Sequence, residues 1–335
     1  MDDQTFKALV VTEVEKGKFE RSIQTKNISD LPEGDVLIQV HYSSLNYKDA
    51  LSATGNKGVT QKFPHTPGID AAGLVVESDN ENFQPGDEVI VTGYDLGMNT
   101  AGGYGQYIRV SGDWVIHCPP TLDLKEAMVY GTAGLTAALS VDKLLQNGAK
   151  PEQGEILVTG ATGGVGSVAV AILSKLGFDV VAATGKPEAA DFLKKLGAKE
   201  VINRDDIVDD SKRPFLKPRW AGVVDTVAGA TLETALKTLK PGGSVTCCGM
   251  ITAMKFSASI FPFILRGVNL LGIDSVEIPK AYKVAMWKLM ANEWKVDGLE
   301  ELCTLGSLED LDDRIEAILE GKAKGRFVVK LDPEA

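Results

Sequence analysis

The sequence has few cysteines and histidines, and this scarcity excludes several kinds of site. Its 335 residues include 4 cysteines and 3 histidines. No two cysteines have the C-x-x-C spacing, so we expect neither a zinc cluster nor a thioredoxin-type redox pair. Four scattered thiols are also too few for a disulfide framework. Cys247 and Cys248 lie in an apolar run, which predicts small buried side chains.

Positive charge is also scarce. There are 35 Lys and Arg residues against 46 Asp and Glu residues, giving a net charge of −11. Without a basic run, such a chain is poorly suited to binding nucleic acid or an anionic membrane. The most apolar stretch, residues 258–273, contains Pro262 and Arg266 and is too short to span a bilayer. The acidic, polar first residues are not typical of a secretory signal, so we expect a cytoplasmic protein.

Two patterns divide the chain. Up to about residue 125, short alternating or β-branched runs are separated by Gly, Pro and Asp turns, which favours an antiparallel sheet or a partly open barrel. Apolar strands then alternate with helical segments as far as residue 275, which predicts a parallel sheet with helices on both faces. We therefore predict an α/β protein with a β-rich domain, residues 1–125 and 276–335, interrupted by a doubly wound domain, residues 126–275.

A glycine-rich turn lies near the start of the predicted parallel sheet. An apolar strand ends at Gly160, and an apolar helix follows at once. Glycines in such a turn allow backbone N–H groups to approach a pyrophosphate, and the helix N-terminus adds partial positive charge. The strand–turn–helix context favours dinucleotide binding over an ordinary β–α turn. The predicted contacts are Gly163, Gly164, Val165 and Gly166.

The end of the next predicted strand distinguishes NADPH from NADH. An NAD site normally carries Asp or Glu there to bind the ribose 2′-hydroxyl. This chain instead has Thr184, Gly185 and Lys186, with no acid before Glu188. A lysine neutralises a 2′-phosphate, and Arg204, just beyond the third strand, is placed to cover the adenine. The pattern favours NADPH, and the alternative is that both cations are solvated surface charges.

Two further residues follow later strands of the predicted sheet. Met250 and Ser275 lie near carboxyl ends of strands, where ligands bind in doubly wound folds. We expect both to line the nicotinamide half of the cofactor site. For Met250, packing in the core is an equally good interpretation.

Several motifs follow one another along essentially the whole chain. They are Asn46–Asp49, Pro67–Asp70, Gly131–Ala137 and Ala161–Gly166. In this order they resemble the medium-chain dehydrogenases/reductases, within the quinone-oxidoreductase branch that contains the bacterial acrylyl-CoA reductases. The resemblance implies a GroES-like barrel with an inserted Rossmann domain.

The resemblance also implies a reaction without a metal. Zinc-dependent members place a Cys at the position of Asn46 or Tyr47 and a His-Glu pair at Ile69-Asp70. Ile69 cannot bind a metal, and no histidine here has ligand spacing. The three histidines are His41, His65 and His117.

Metal-free hydride transfer suits a conjugated acceptor, because the developing charge spreads into an enolate or a hydroquinone. The resemblance places Tyr47 beside the nicotinamide, where its hydroxyl could orient the carboxamide or donate a proton, although water could supply that proton equally well. Asn46 and Asp49 are candidate supports, with helix capping the favoured role for Asp49. Thr136 is a candidate nicotinamide contact, with capping of a helix start as its alternative.

Three functions fit these residues. The leading hypothesis is an NADPH-dependent reductase of an activated alkene such as acrylyl-CoA, with Lys48 and Arg326 as candidate cations for the CoA phosphates. An NADPH:quinone oxidoreductase would use the same residues, and a non-catalytic NADPH-binding sensor or structural protein is a distant third. The apolar run Asn269–Asp274 suits edge-to-edge strand pairing, so the resemblance predicts a homodimer.

Overall fold

The computed structural model describes residues 4–211 and 213–331. The strands, in chain order, are β1 (Thr5–Glu15), β2 (Lys18–Asn27), β3 (Val36–Ser44), β4 (Asp70–Ser78), β5 (Glu88–Thr92), β6 (Tyr107–Val110), β7 (Val115–His117), β8 (Ile156–Val158), β9 (Val180–Thr184), β10 (Glu200–Asn203), β11 (Trp220–Asp225), β12 (Leu239–Cys247), β13 (Asn269–Gly272), β14 (Cys303–Gly306) and β15 (Arg326–Lys330).

The helices are α1 (Tyr47–Ala53), α2 (Leu124–Gln146), α3 (Gly164–Lys175), α4 (Ala190–Lys195), α5 (Gly229–Thr238), α6 (Phe261–Arg266), α7 (Lys280–Ala291), α8 (Leu299–Leu302) and α9 (Leu311–Leu319). Short 3-10 turns lie at Ile28–Asp30, Pro151–Gln153, Pro187–Ala189, Arg204–Ile207 and Leu308–Asp310. None of the helices in the described ranges is long and apolar enough to cross a membrane.

The chain forms two compact units. The barrel unit comprises Met1–Thr132, Val276–Ala291 and Gly298–Ala335, and the sheet unit comprises Ala133–Ser275 and Asn292–Asp297.

The barrel unit is built on a sheet of order β14-β15-β3-β4-β5-β7, with β6 also paired to β3 and a separate β1-β2 ribbon. Strand β3 shows why it forms. Val36, Ile38 and Val40 alternate into one apolar core, whereas Leu37 points to a second cluster on the other side. Both faces of β3 are therefore covered, and its carboxyl end leads directly into α1.

The sheet unit contains six parallel strands in the order β10-β9-β8-β11-β12-β13. The chain moves outward from β8 in one direction as far as β10, and then from β11 in the other direction as far as β13. This reversal makes the carboxyl ends of β8 and β11 the switch point, where ligands bind in doubly wound sheets. The predicted fold class is confirmed.

The two adjacent cysteines differ from expectation. Cys247 ends β12 and Cys248 follows it, and both are half-buried rather than buried. The strand end opens toward solvent there, since Met250 is already 55% exposed.

Candidate active site

The site in the barrel unit begins at the start of α1. Asn46 is the extended residue before the helix, and Tyr47 is its first residue. The Asp49 carboxylate accepts the N–H of Asn46 at 2.8 Å and the N–H of Ile69 at 2.8 Å. The capping role predicted for Asp49 is thus what the structure shows. Burial, reinforced by the charge of Asp70, raises the pKa of Asp49 to about 7.

Asn46 is held through both atoms of its side-chain amide. Its Nδ2 donates to Asp70 Oδ2 at 2.8 Å, and its Oδ1 accepts from Arg326 Nη1 at 3.2 Å. Asn46 is buried, whereas Tyr47 beside it is half-buried. The two predicted catalytic residues therefore lie side by side, and the Asn46 amide is already hydrogen-bonded to Asp70 and Arg326.

Asp70 is the centre of a buried polar network. Its carboxylate accepts the hydroxyls of Ser44 and Thr132, each at 2.6 Å, and the N–H of Thr132 at 2.9 Å. Arg326 Nη2 lies 3.8 Å from Asp70 Oδ2, and the two side chains are 3% and 0% exposed. The guanidinium and the donors compensate a carboxylate that would otherwise be very costly to bury.

Gly131 interrupts α2 beside this network. Its φ of +49° and ψ of −154° are non-helical. A Cβ at this position would collide with Asp70 Oδ2 and would lie 2.6 Å from Ser44 Oγ and 3.0 Å from Arg326 Nη2. Only glycine satisfies both the backbone conformation and the lack of space.

The barrel-unit residues do not fit a catalytic zinc ion. Ile69 is buried and carries no donor, and the Asp70 oxygens are already occupied by hydrogen-bond donors. Across residues 4–211 and 213–331, no group of three or more His, Cys, Asp or Glu side chains is placed to hold a metal ion.

Arg326 cannot be a surface cation for CoA, so that part of the prediction is wrong. Its guanidinium is buried and donates to protein oxygens, because β15 places it inside the barrel unit. Lys48 is half-buried, and its amine lies 3.9 Å from Met98 Sδ.

In the sheet unit, the glycine-rich turn has the predicted strand–turn–helix form. Strand β8 ends at Val158, and α3 begins at Gly164 with Gly163 as its cap residue. A Cβ on Gly166 would collide with Gly160 O and lie 2.7 Å from Ala161 Cα, so helix and turn pack closely only with glycine there. The predicted pyrophosphate contacts all lie at the N-terminus of α3, where backbone N–H groups fit a pyrophosphate. They are Gly163, Gly164, Val165 and Gly166.

The predicted 2′-phosphate residues lie together at the ends of β9 and β10. Thr184 is buried and its Oγ1 accepts the Lys186 N–H at 3.1 Å. Gly185 is exposed, and a Cβ there would lie 2.8 Å from Arg204 Nε. The Arg204 side chain is 69% exposed and lies near Asp205, at 3.7 Å. A lysine and an arginine thus flank one glycine, which fits a phosphate better than a ribose hydroxyl.

The loop after β11 contains features that the sequence reasoning missed, and the loop after β12 carries the predicted Met250. Buried Asp225 accepts the Thr159 hydroxyl and the Ala228 N–H, both at 2.8 Å. Ala228 has φ +64° and ψ −158°, a backbone conformation that residues other than glycine rarely adopt. Met250 in the second loop is exposed, so core packing is not its role. A Ramachandran outlier of this kind has no sequence signal, because alanine gives no hint of it.

Thr136 and Ser275 meet inside the sheet unit. Both are buried, and Thr136 Oγ1 donates to Ser275 Oγ at 2.8 Å. Gly131 breaks α2, and Thr136 comes five residues after that break, beyond the position of a helix cap, so capping of a helix start is not its role.

Comparison with known proteins places these observations in a family. Residues 32–120 match the family "Alcohol dehydrogenase GroES-like domain", and residues 164–292 match "Zinc-binding dehydrogenase". The chain is 45% identical to the acrylyl-CoA reductase AcuI of Ruegeria pomeroyi, over 98% of this chain and 99% of that protein.

Two solved structures are also closely similar. One is Escherichia coli K-12 YhdH with bound NADPH, with a TM-score of 0.94 and 42% identity, covering 97% of this chain and 100% of that one. The other is Bacillus subtilis YhfP with bound NAD, with a TM-score of 0.95 and 46% identity, covering 98% and 100%. With this similarity over both units, the chain belongs to the medium-chain dehydrogenase/reductase superfamily.

Proposed function

We propose that the protein is an NADPH-dependent reductase of activated carbon–carbon double bonds, with acrylyl-CoA as the candidate substrate. The observation that carries this proposal is the similarity to AcuI over nearly the full length of both proteins, in a chain whose barrel-unit residues do not fit a zinc ion. An enoyl thioester is the acceptor that suits such a site, because its carbonyl delocalises the charge that hydride addition creates.

The cofactor is assigned to the sheet unit. The pyrophosphate is assigned to Gly163, Gly164, Val165 and Gly166, and the 2′-phosphate to Thr184, Gly185, Lys186 and Arg204. Met250 and Ser275, with Thr136 bonded to Ser275, are assigned to the nicotinamide half. The cations beside Gly185 support NADPH over NADH, and YhfP, solved with NAD, is the reason to measure both.

The reaction needs one hydride and one proton. NADPH, when bound, supplies the hydride that adds to the β-carbon of the thioester, and the α-carbon takes a proton. We assign the proton to the Tyr47 hydroxyl, with water as the alternative donor. Tyr47 is half-buried, so part of this residue reaches the solvent from which the hydroxyl would regain a proton. Asn46 keeps Tyr47 in place rather than reacting, because its amide is already bonded on both sides.

A quinone reductase is the second candidate. YhfP, 48% identical over 95% of this chain, is provisionally named a quinone oxidoreductase. A quinone accepts a hydride at oxygen or carbon and becomes an aromatic hydroquinone, so it would require the same residues.

One assay separates the candidates. Oxidation of NADPH is followed by absorbance with acrylyl-CoA and with benzoquinone on one preparation, and NADH is run in parallel. A kcat/KM for acrylyl-CoA well above that for benzoquinone supports the alkene reductase. Turnover of the quinone alone favours the second candidate, and turnover of neither, with NADPH still bound, refutes both.

We also propose a homodimer in the cytoplasm. Strand β13 is at the edge of the six-stranded sheet, and the segment before it exposes several large apolar side chains. An unpaired edge beside an apolar surface suits pairing with a second copy. The four cysteines are free thiols, as expected in a reducing compartment. The mass from light scattering tests the dimer.

A further inference from the structure

We infer that Arg326 is a positioning residue that fixes the start of α1 and, with it, the Tyr47 side chain. This inference rests on the proposed function, in which Tyr47 donates the proton. Arg326 itself is buried and does not need to touch the substrate.

One guanidinium binds three consecutive residues immediately before Tyr47. Arg326 Nη2 donates to Ser44 Oγ at 2.8 Å, and Nη1 donates to Leu45 O and Asn46 Oδ1, each at 3.2 Å. The remaining Nε–H donates to Val129 O at 3.0 Å. A planar fork of donors that reaches a backbone carbonyl, an amide and a hydroxyl together is a property of arginine that lysine lacks.

Asp70 closes the network from the other side of the same segment. It accepts from the Ser44 hydroxyl at 2.6 Å and from Asn46 Nδ2 at 2.8 Å, and it lies 3.8 Å from Arg326 Nη2. Ser44 and Asn46 are therefore held between a buried cation and a buried anion. The backbone adds a further tie, because Leu45 N–H donates to Phe327 O at 2.9 Å, next to Arg326 in β15.

Helix α1 depends on such external support. It has seven residues, Tyr47–Ala53, and a helix this short is marginal by its own hydrogen bonds. The direction of its first side chain is set by the residues that precede it. A small movement of residues 44–46 thus moves Tyr47, and a displacement of about 1 Å can lower a catalytic rate about a hundredfold.

The first test is Arg326→Lys, which keeps the charge and removes the fork. The expected result is a fall in kcat for acrylyl-CoA of about a hundredfold, with an unchanged Kd for NADPH measured by fluorescence. The matched control is Ile90→Val, a fully buried core position in β5 of the same unit with no polar contact at its side chain. Both variants are assayed at a temperature at which circular dichroism shows them folded.

A double-mutant cycle shows whether Arg326 acts through Tyr47. If it does, Tyr47→Phe lowers kcat strongly in the wild-type background and much less in the Arg326→Lys background. If the two losses multiply, or if Arg326→Lys loses no more activity than Ile90→Val, the inference is overturned. A wild-type protein that reduces neither acceptor refutes the proposed function instead, and this is seen before any variant is compared.

Removing both buried charges together distinguishes a positioning role from a loss of folding. Arg326→Met alone leaves Asp70 buried without its cation, whereas Arg326→Met with Asp70→Asn removes both charges. A positioning role predicts that the double variant regains Tm but not kcat. Recovery of both together would show that the network only stabilises the fold.

Discussion

Gly131→Ala tests whether the space beside Asp70 and Arg326 is too small for a side chain at position 131. The substitution forces alanine into φ +49°, ψ −154°, a backbone strain of order 1–3 kcal/mol. The new methyl group also meets Asp70 Oδ2, Ser44 Oγ and Arg326 Nη2, and overpacking of this kind costs about 1–3 kcal/mol. The expected loss is therefore about 2–6 kcal/mol in the free energy of unfolding, which is a large share of an ordinary stability of about 5–15 kcal/mol.

The control for this prediction is Gly86→Ala. Gly86 has φ +94° in the same unit, but a Cβ there meets no atom within 4 Å. It should lose only the backbone cost, roughly 1–2 kcal/mol. Urea unfolding of both variants and the wild type measures the difference. Equal losses would refute the view that the space around Asp70 and Arg326 is closed.

Three other predictions follow from the described contacts. Lys186→Ala should raise the KM for NADPH about tenfold, the effect of losing one charge-assisted hydrogen bond, and leave the KM for NADH unchanged. Lys194→Ala, at an exposed lysine of α4, is the control. Because the pKa of Asp49 is raised in the folded state to about 7, the protein should lose stability as the pH rises from about 4 to 7, and Asp49→Asn should flatten this slope in Tm measurements. Ala228→Gly should stabilise the protein by about 1–2 kcal/mol in urea unfolding, since it relieves a positive φ.

Each of these predictions has a clear contradicting result. Equal effects of Lys186→Ala on both coenzymes would mean that the lysine does not face the 2′-phosphate. Parallel pH profiles for the wild type and Asp49→Asn would assign the pH dependence to other groups. A destabilised Ala228→Gly would show that the alanine methyl contributes more than the strained backbone costs.

The sheet unit could be predicted closely because its strands are apolar runs and its helices are periodic. Strand β8 and helix α3, for example, lie on either side of the predicted glycine-rich turn. Strand β2 was missed because its ten residues are largely exposed and show no apolar alternation. The bounds of helix α1 could not be predicted because its seven residues carry too little periodicity, although helix capping was the favoured role for Asp49.

The candidate site also has one part that could be predicted from the sequence and one part that could not. The proposed cofactor residues follow a local motif, so the order of residues from Gly163 to Lys186 was enough to propose them. The network around Asp70 has no local signal, because its members come from β3, β4, α2 and β15. The sequence contains one indication of this network, an arginine at the start of an apolar strand, Arg326. That arginine was assigned to the surface.

The late position of Arg326 has a consequence for biosynthesis. Its partner Ser44 is separated from it by 282 residues along the chain. During translation, β3 and β4 leave the ribosome long before β15. Asp70 therefore lacks the Arg326 guanidinium while the whole inserted sheet is made. All six strands of the inserted sheet lie within Ala133–Ser275, and only Asn292–Asp297 of that unit comes later. The sheet can therefore fold on the nascent chain first. The barrel unit, with the start of α1 in its final place, is completed only after β15 has been made.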